Sequence, residues 1–88
     1  MNVKNLTSHS GREVPNQFEI RDDYGNRFFQ SYQTIIVKHG HDGQIYLDRD
    51  SWDCSQTTGK YRNLFLGESK KETERKIASG EYVLCNLN

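Results

Sequence analysis

The sequence predicts a small α+β domain, an antiparallel sheet of three to four strands in the order β-β-β-α-α-β with two short helices packed on one face. Three observations predict it. The first half carries short runs of alternating polarity bounded by turn residues, the stretch from Ser51 to Tyr82 carries two serine starts and two glycine stops, and 88 residues leave room for one domain only.

Residues 1–15 are mostly polar and broken by Gly11 and Pro15, which predicts an irregular N-terminal arm ahead of a single α+β domain spanning residues 16–88. The alternation of Gln17, Phe18, Glu19, Ile20 and Arg21 gives a first strand, and Asp22, Asp23, Tyr24, Gly25 and Asn26 supply a hairpin turn. The return strand is expected to run from Arg27 to Val37. Its period is uneven, so either both faces are partly covered or a bulge near Gln30 and Ser31 resets the register. A tight turn from Gly40 to Gly43 leads to a third strand over residues 44–48.

Ser55 or Thr57 is placed to cap a helix over residues 56–66, in which Thr57, Tyr61, Leu64 and Phe65 recur at helical spacing. Gly59 interrupts this helix, and Gly67 stands where a left-handed residue closes one. Ser69 and Glu72 fit a reciprocal capping box for a second helix, with Thr73, Ile77 and Ala78 turned to the core and Glu72 paired with Lys76. Gly80 ends it. Residues 81–87 read as a closing strand.

Composition narrows the function classes. Twelve basic residues balance twelve acidic ones, which argues against a strongly basic nucleic-acid module and against an acidic mimic of nucleic acid. Only 33% of residues are hydrophobic, so the core must lean on five Tyr, four Phe and one Trp. Cys54 and Cys85 lack metal-ligand spacing and read as reduced thiols of a cytoplasmic protein. No stretch approaches the length of a membrane span, and the first residues lack a signal peptide's apolar run.

No residue set demands catalysis, a metal or a cofactor. His39 and His41 flank a glycine, but two imidazoles two apart need further convergent ligands, and a solvated turn accounts for them. Cys54 lies near a helix start without a base in sight, which suits a buried small side chain better than a nucleophile. Asp48-Arg49-Asp50 lacks the glycine and glutamate of a calcium loop. The candidate partner-binding residues are Trp52, Lys60, Tyr61 and Arg62 around the first helix. Trp52 either caps the core edge or, if exposed, anchors a partner. Lys60, Arg62, Lys70, Lys71, Arg75 and Lys76 concentrate positive charge there, although Glu68, Glu72, Glu74 and Glu81 dilute it.

The segment from Tyr46 to Leu84, with its Trp-Asp pair, Thr-Thr-x-Lys-Tyr-Arg, Phe-Leu-Gly, Lys-Glu-Thr and Gly-x-Tyr, resembles a family of small uncharacterised proteins encoded by bacteriophages and plasmids, as does Phe28 to Tyr32. The resemblance implies a genetic setting in which small accessory factors bind and redirect a host macromolecule, including inhibitors of restriction or CRISPR defence. The expected partner is therefore a host protein or complex. Nucleic acid on the basic helical face is the alternative. A sheet apolar on both faces further suggests a homodimer that hides strand surface.

Overall fold

The computed structural model describes all 88 residues, and the turn after its second strand follows from one side chain. Asp22 accepts from the backbone N–H groups of Tyr24 and Asn26, both at 2.9 Å, and from the Asn26 side-chain amide at 2.8 Å. Gly25 takes the left-handed conformation that this turn requires, at φ 87°. The turn joins strand β2 (Glu13–Arg21) to β3 (Arg27–Ser31).

The sheet has six strands, which corrects the expectation of three to four. They are β1 (Asn2–Thr7), β2, β3, β4 (Thr34–His39), β5 (Ile45–Asp48) and β6 (Tyr82–Cys85), adjacent in space in chain order. Two differences account for the count. Asn2–Thr7, expected within an irregular arm, pairs antiparallel with β2, and Pro15 is tolerated because it falls where the β1–β2 register shifts and no ladder N–H is needed. The run from Arg27 to Val37 is two strands rather than one. The chain reverses at Tyr32 and Gln33, with Tyr32 at φ 56° and its N–H donating to the Asn16 carbonyl at 2.7 Å.

The register between β3 and β4 shifts after Phe29, leaving Ile36 as the extra, fully buried residue. The sheet is mixed rather than antiparallel throughout. Helices α1 (Gln56–Leu66) and α2 (Lys70–Ala78) carry the chain back to the starting end of β5, so β6 pairs with β5 in parallel. The α+β class stands.

Both helices lie on one face. Across that face the register aligns Lys4, Glu19, Phe29, Val37, Leu47 and Leu84. Phe29, Ile36, Val37 and Leu47 are fully buried there with Tyr61 and Tyr82, and Phe65 of α1 stacks on Phe29 at 5.9 Å. Beside the core, the buried carboxylate of Glu19 receives Arg27 at 2.7 Å, Arg21 at 3.1 Å and Lys4 at 3.6 Å.

Both helix starts follow serine caps: Ser55 Oγ accepts from Thr58 N–H and Ser69 Oγ from Glu72 N–H. Only half of the expected capping box forms, because the Glu72 carboxylate turns to Arg75 instead of back to Ser69, and Lys76 pairs with Glu68 rather than with Glu72. Thr73 is buried and Ala78 is exposed. The buried side of α1 also differs from the expected one: Thr58, Gly59, Tyr61 and Arg62 turn inward, while Leu64 stays 45% exposed.

Candidate functional site

The loop after β5 is built by Asp48. Its carbonyl accepts from the N–H groups of Ser51 and Trp52, and its carboxylate from Leu87 N–H at 2.9 Å, so the loop and the C-terminal segment are fixed to one residue. That places Trp52 half-buried against the core. The indole caps the core edge and does not stand out as an exposed anchor.

Arg62 ties this loop to α1. Its side chain is 1% exposed; Nη1 donates to the Trp52 carbonyl at 2.6 Å and meets Asp53 Oδ1 at 3.3 Å, Nη2 donates to Asn63 Oδ1 at 3.0 Å, and the guanidinium lies 5.1 Å from the Trp52 ring. A planar fork suits this position because three acceptors and an aromatic face converge on it. Lys70 donates to the other Asp53 oxygen at 2.7 Å. Chiefly through that bond, aided by Arg62 and opposed by burial, Asp53 is held below the usual carboxylate range, and Lys70 is raised by the same bond.

The four sequence-predicted residues therefore divide. Trp52, Tyr61 and Arg62 are structural in their contacts, with Tyr61 only 9% exposed in the core. Lys60 stands in solvent with its ammonium 5.4 Å from the Tyr61 ring. Around Lys60 runs an open groove of about 450 Å³ lined by Asp53, Ser55, Gln56, Gly59, Lys60, Arg62, Asn63 and Lys70, with no apolar side chain among them. Three cations face one carboxylate, so the groove is positive. Gln56, Lys60 and Asn63 fall at i, i+4 and i+7, a polar stripe legible in the sequence, with buried Gly59 beside it.

Elsewhere on the helices the positive charge is spent internally. Arg75 pairs with Glu72 at 3.0 Å and Lys76 with Glu68 at 2.8 Å, which leaves Lys60 and Lys71 outside any ion pair. The Glu68 carboxylate also accepts from Thr73 and from the Tyr82 hydroxyl, both at 2.7 Å. Burial raises this carboxyl, but the bonds from Lys76, Thr73 and Tyr82 outweigh it and hold it low. His41 sits on the turn before β5 with its Nδ1 3.3 Å from Asn26 Oδ1, fastening one hairpin turn to another. Cys54 is exposed, with Sγ 3.7 Å from Thr58 Oγ1. No three His, Cys, Asp or Glu side chains converge, and no helix is long and apolar enough to cross a membrane.

Fold and groove together define a small α+β domain whose most elaborated surface feature is a polar, positively charged groove buttressed by a buried arginine. The chain belongs to a family of unknown function (DUF8033), whose model matches residues 1–81. No curated protein and no solved structure matches it.

Proposed function

We propose that this protein is a non-enzymatic accessory factor of a phage or plasmid that acts in the host cytoplasm by binding a host protein, with components of restriction or CRISPR defence as the target class. The genetic setting rests on the resemblance of the segment from Tyr46 to Leu84 to small proteins of mobile elements. The single observation that supports the mode of action is the groove beside Lys60. It offers amide, hydroxyl and cationic groups along helix α1 and the loop before it, and nothing apolar for a small organic ligand to sink into. Such a surface suits the acidic, polar rim of a protein partner.

The alternative, a nucleic-acid regulator on the basic helical face, is disfavoured because most cations there are already paired with carboxylates. Few remain to displace counterions from phosphate. The discriminating experiment is capture from host lysate, with and without nuclease and at two salt concentrations, using the wild type and Lys60→Glu. One stoichiometric protein that survives nuclease and is lost with Lys60→Glu is expected. Recovery of nucleic acid that collapses with salt or nuclease would replace this reading with the alternative.

A further inference from the structure

The face of the sheet opposite the helices is open, and its side chains form rows across the strands. Val3, Ile20, Phe28, Lys38, Tyr46 and Val83 are consecutive register partners through all six strands, and Asn5, Phe18, Gln30 and Ile35 form a second row beside them. Val3 is 55% and Val83 38% exposed, and the residues between them are half-buried by one another. Lys38 is the only charged member of either row. Its ammonium lies 5.5 Å from the Tyr46 ring.

We propose that this face is the docking surface for a second copy of the chain, related by a two-fold axis that lies between the two sheets, parallel to the strands, between β3 and β4. That axis folds the first row onto itself. Val3 of one copy meets Val83 of the other, Ile20 meets Tyr46, and Phe28 meets Lys38. The single charge thereby faces an aromatic ring, to which a cation is attracted, and not its own counterpart. A two-fold axis running along the row would set Lys38 against Lys38 and is disfavoured by like-charge repulsion. Strands of the two sheets stay aligned in the chosen arrangement, as in packed sandwiches.

One cation among so many apolar groups gives nucleic acid almost no phosphate contact, which sets that occupant aside. Six strands spaced about 4.8 Å apart, at about 3.3 Å per residue, make a face of about 400–450 Å² per copy. Both copies together bury about 800–900 Å², the size of a weak, transient association and not of a permanent dimer. The groove beside Lys60 lies on the helical side of the sheet, so a dimer of this kind leaves it free, and the inference does not rest on the proposed function.

Sedimentation velocity across a concentration series tests it, with circular dichroism as the check of folding. The wild type should move from the 10.3 kDa monomer to twice that mass. Phe28→Lys places two lysines face to face and Lys38→Glu places a carboxylate against Phe28, so each alone should weaken association at least about tenfold. Mixed together, the two variants should associate more tightly than either alone, because one contact becomes Lys against Glu and the other is the native Phe28–Lys38 pair. If Phe28→Lys does not fold, Lys38→Glu carries the test alone by its expected tenfold loss. A wild type that remains monomeric at about 1 mM, a dimer indifferent to both substitutions, or a mixture no tighter than its components would each overturn the proposal.

Discussion

Replacing Arg62 by Ala should remove a large share of this domain's stability, although the residue is charged and sits on a helix. An 88-residue chain has a total stability of about 4–13 kcal/mol. The substitution takes the 2.6 Å donor from the Trp52 carbonyl, a charge-assisted bond of about 1.5–3 kcal/mol, and leaves that carbonyl and Asn63 Oδ1 short of a partner. It also empties the space against the Trp52 ring, where stacking contributes about 1–2 kcal/mol. Asp53 keeps Lys70, so its loss is discounted, and the expected cost is about 3–4 kcal/mol.

Urea unfolding followed by the fluorescence of the sole tryptophan reads this directly. With a slope of about 1.5 kcal/mol per molar, the midpoint should fall by about 2 M. Arg62→Met, which refills the space without the donors, should recover about 1–2 kcal/mol of the loss. A cost below about 1 kcal/mol for Arg62→Ala would refute the view that Arg62 holds the Trp52 loop to α1.

Acid should weaken the fold through Glu68 and Glu19. Burial raises both carboxyls, yet their bonded partners prevail, arginines on Glu19 and Lys76 with the Thr73 and Tyr82 hydroxyls on Glu68, and hold them below the ordinary value of 4.5, so their contribution is present above that value and disappears as pH falls below it. Glu68→Gln should flatten the fall in urea midpoint between neutral pH and pH about 3. In alkali, burial and the Glu68 carboxylate push the Tyr82 hydroxyl up to about 12, so its share of stability is intact below the usual value of 10.0 and is lost as pH rises through about 12. A spectrophotometric titration should show a late-ionising tyrosine signal that Tyr82→Phe removes. Gly59→Ala should stabilise by about 0.5–1 kcal/mol, read as a higher melting temperature, because the added Cβ meets Arg62 at ordinary contact distances of 3.6 Å or more within a helix.

Punctuation in the sequence was a good guide wherever a side chain made the turn or the cap itself. Asp22 and Gly25 announce their hairpin, Ser55 and Ser69 their helices, and Gly67 its left-handed stop at φ 71°. Strand β1 was invisible because an edge strand with neither face well buried carries no apolar alternation. The reversal after β3 was hidden because Tyr32 and Gln33 are not turn formers, and Tyr32 is held at positive φ by the Asn16 carbonyl from a neighbouring strand. At the candidate site, Lys60 was legible as a surface cation. Arg62 was not legible as a buried one, since the acceptors that make its burial tolerable belong to a loop ten residues away whose position only the tertiary structure fixes.

That the six strands lie in chain order carries a consequence for how the molecule is made. Each of the four strands from β2 to β5 can zip onto its predecessor as it leaves the ribosome, since none waits for a partner from later in the chain. Phe65 and Tyr61, however, emerge only after Leu47 has been laid down, so the growing sheet passes through a period in which Phe29, Val37 and Leu47 lie bare on one side and Phe28 and Ile20 on the other. A nascent chain halted after Asp48 is a two-sided sticky ribbon, prone to aggregate or to be held by a chaperone. The helices that cover Phe29, Val37 and Leu47 are therefore the last part of the core to arrive.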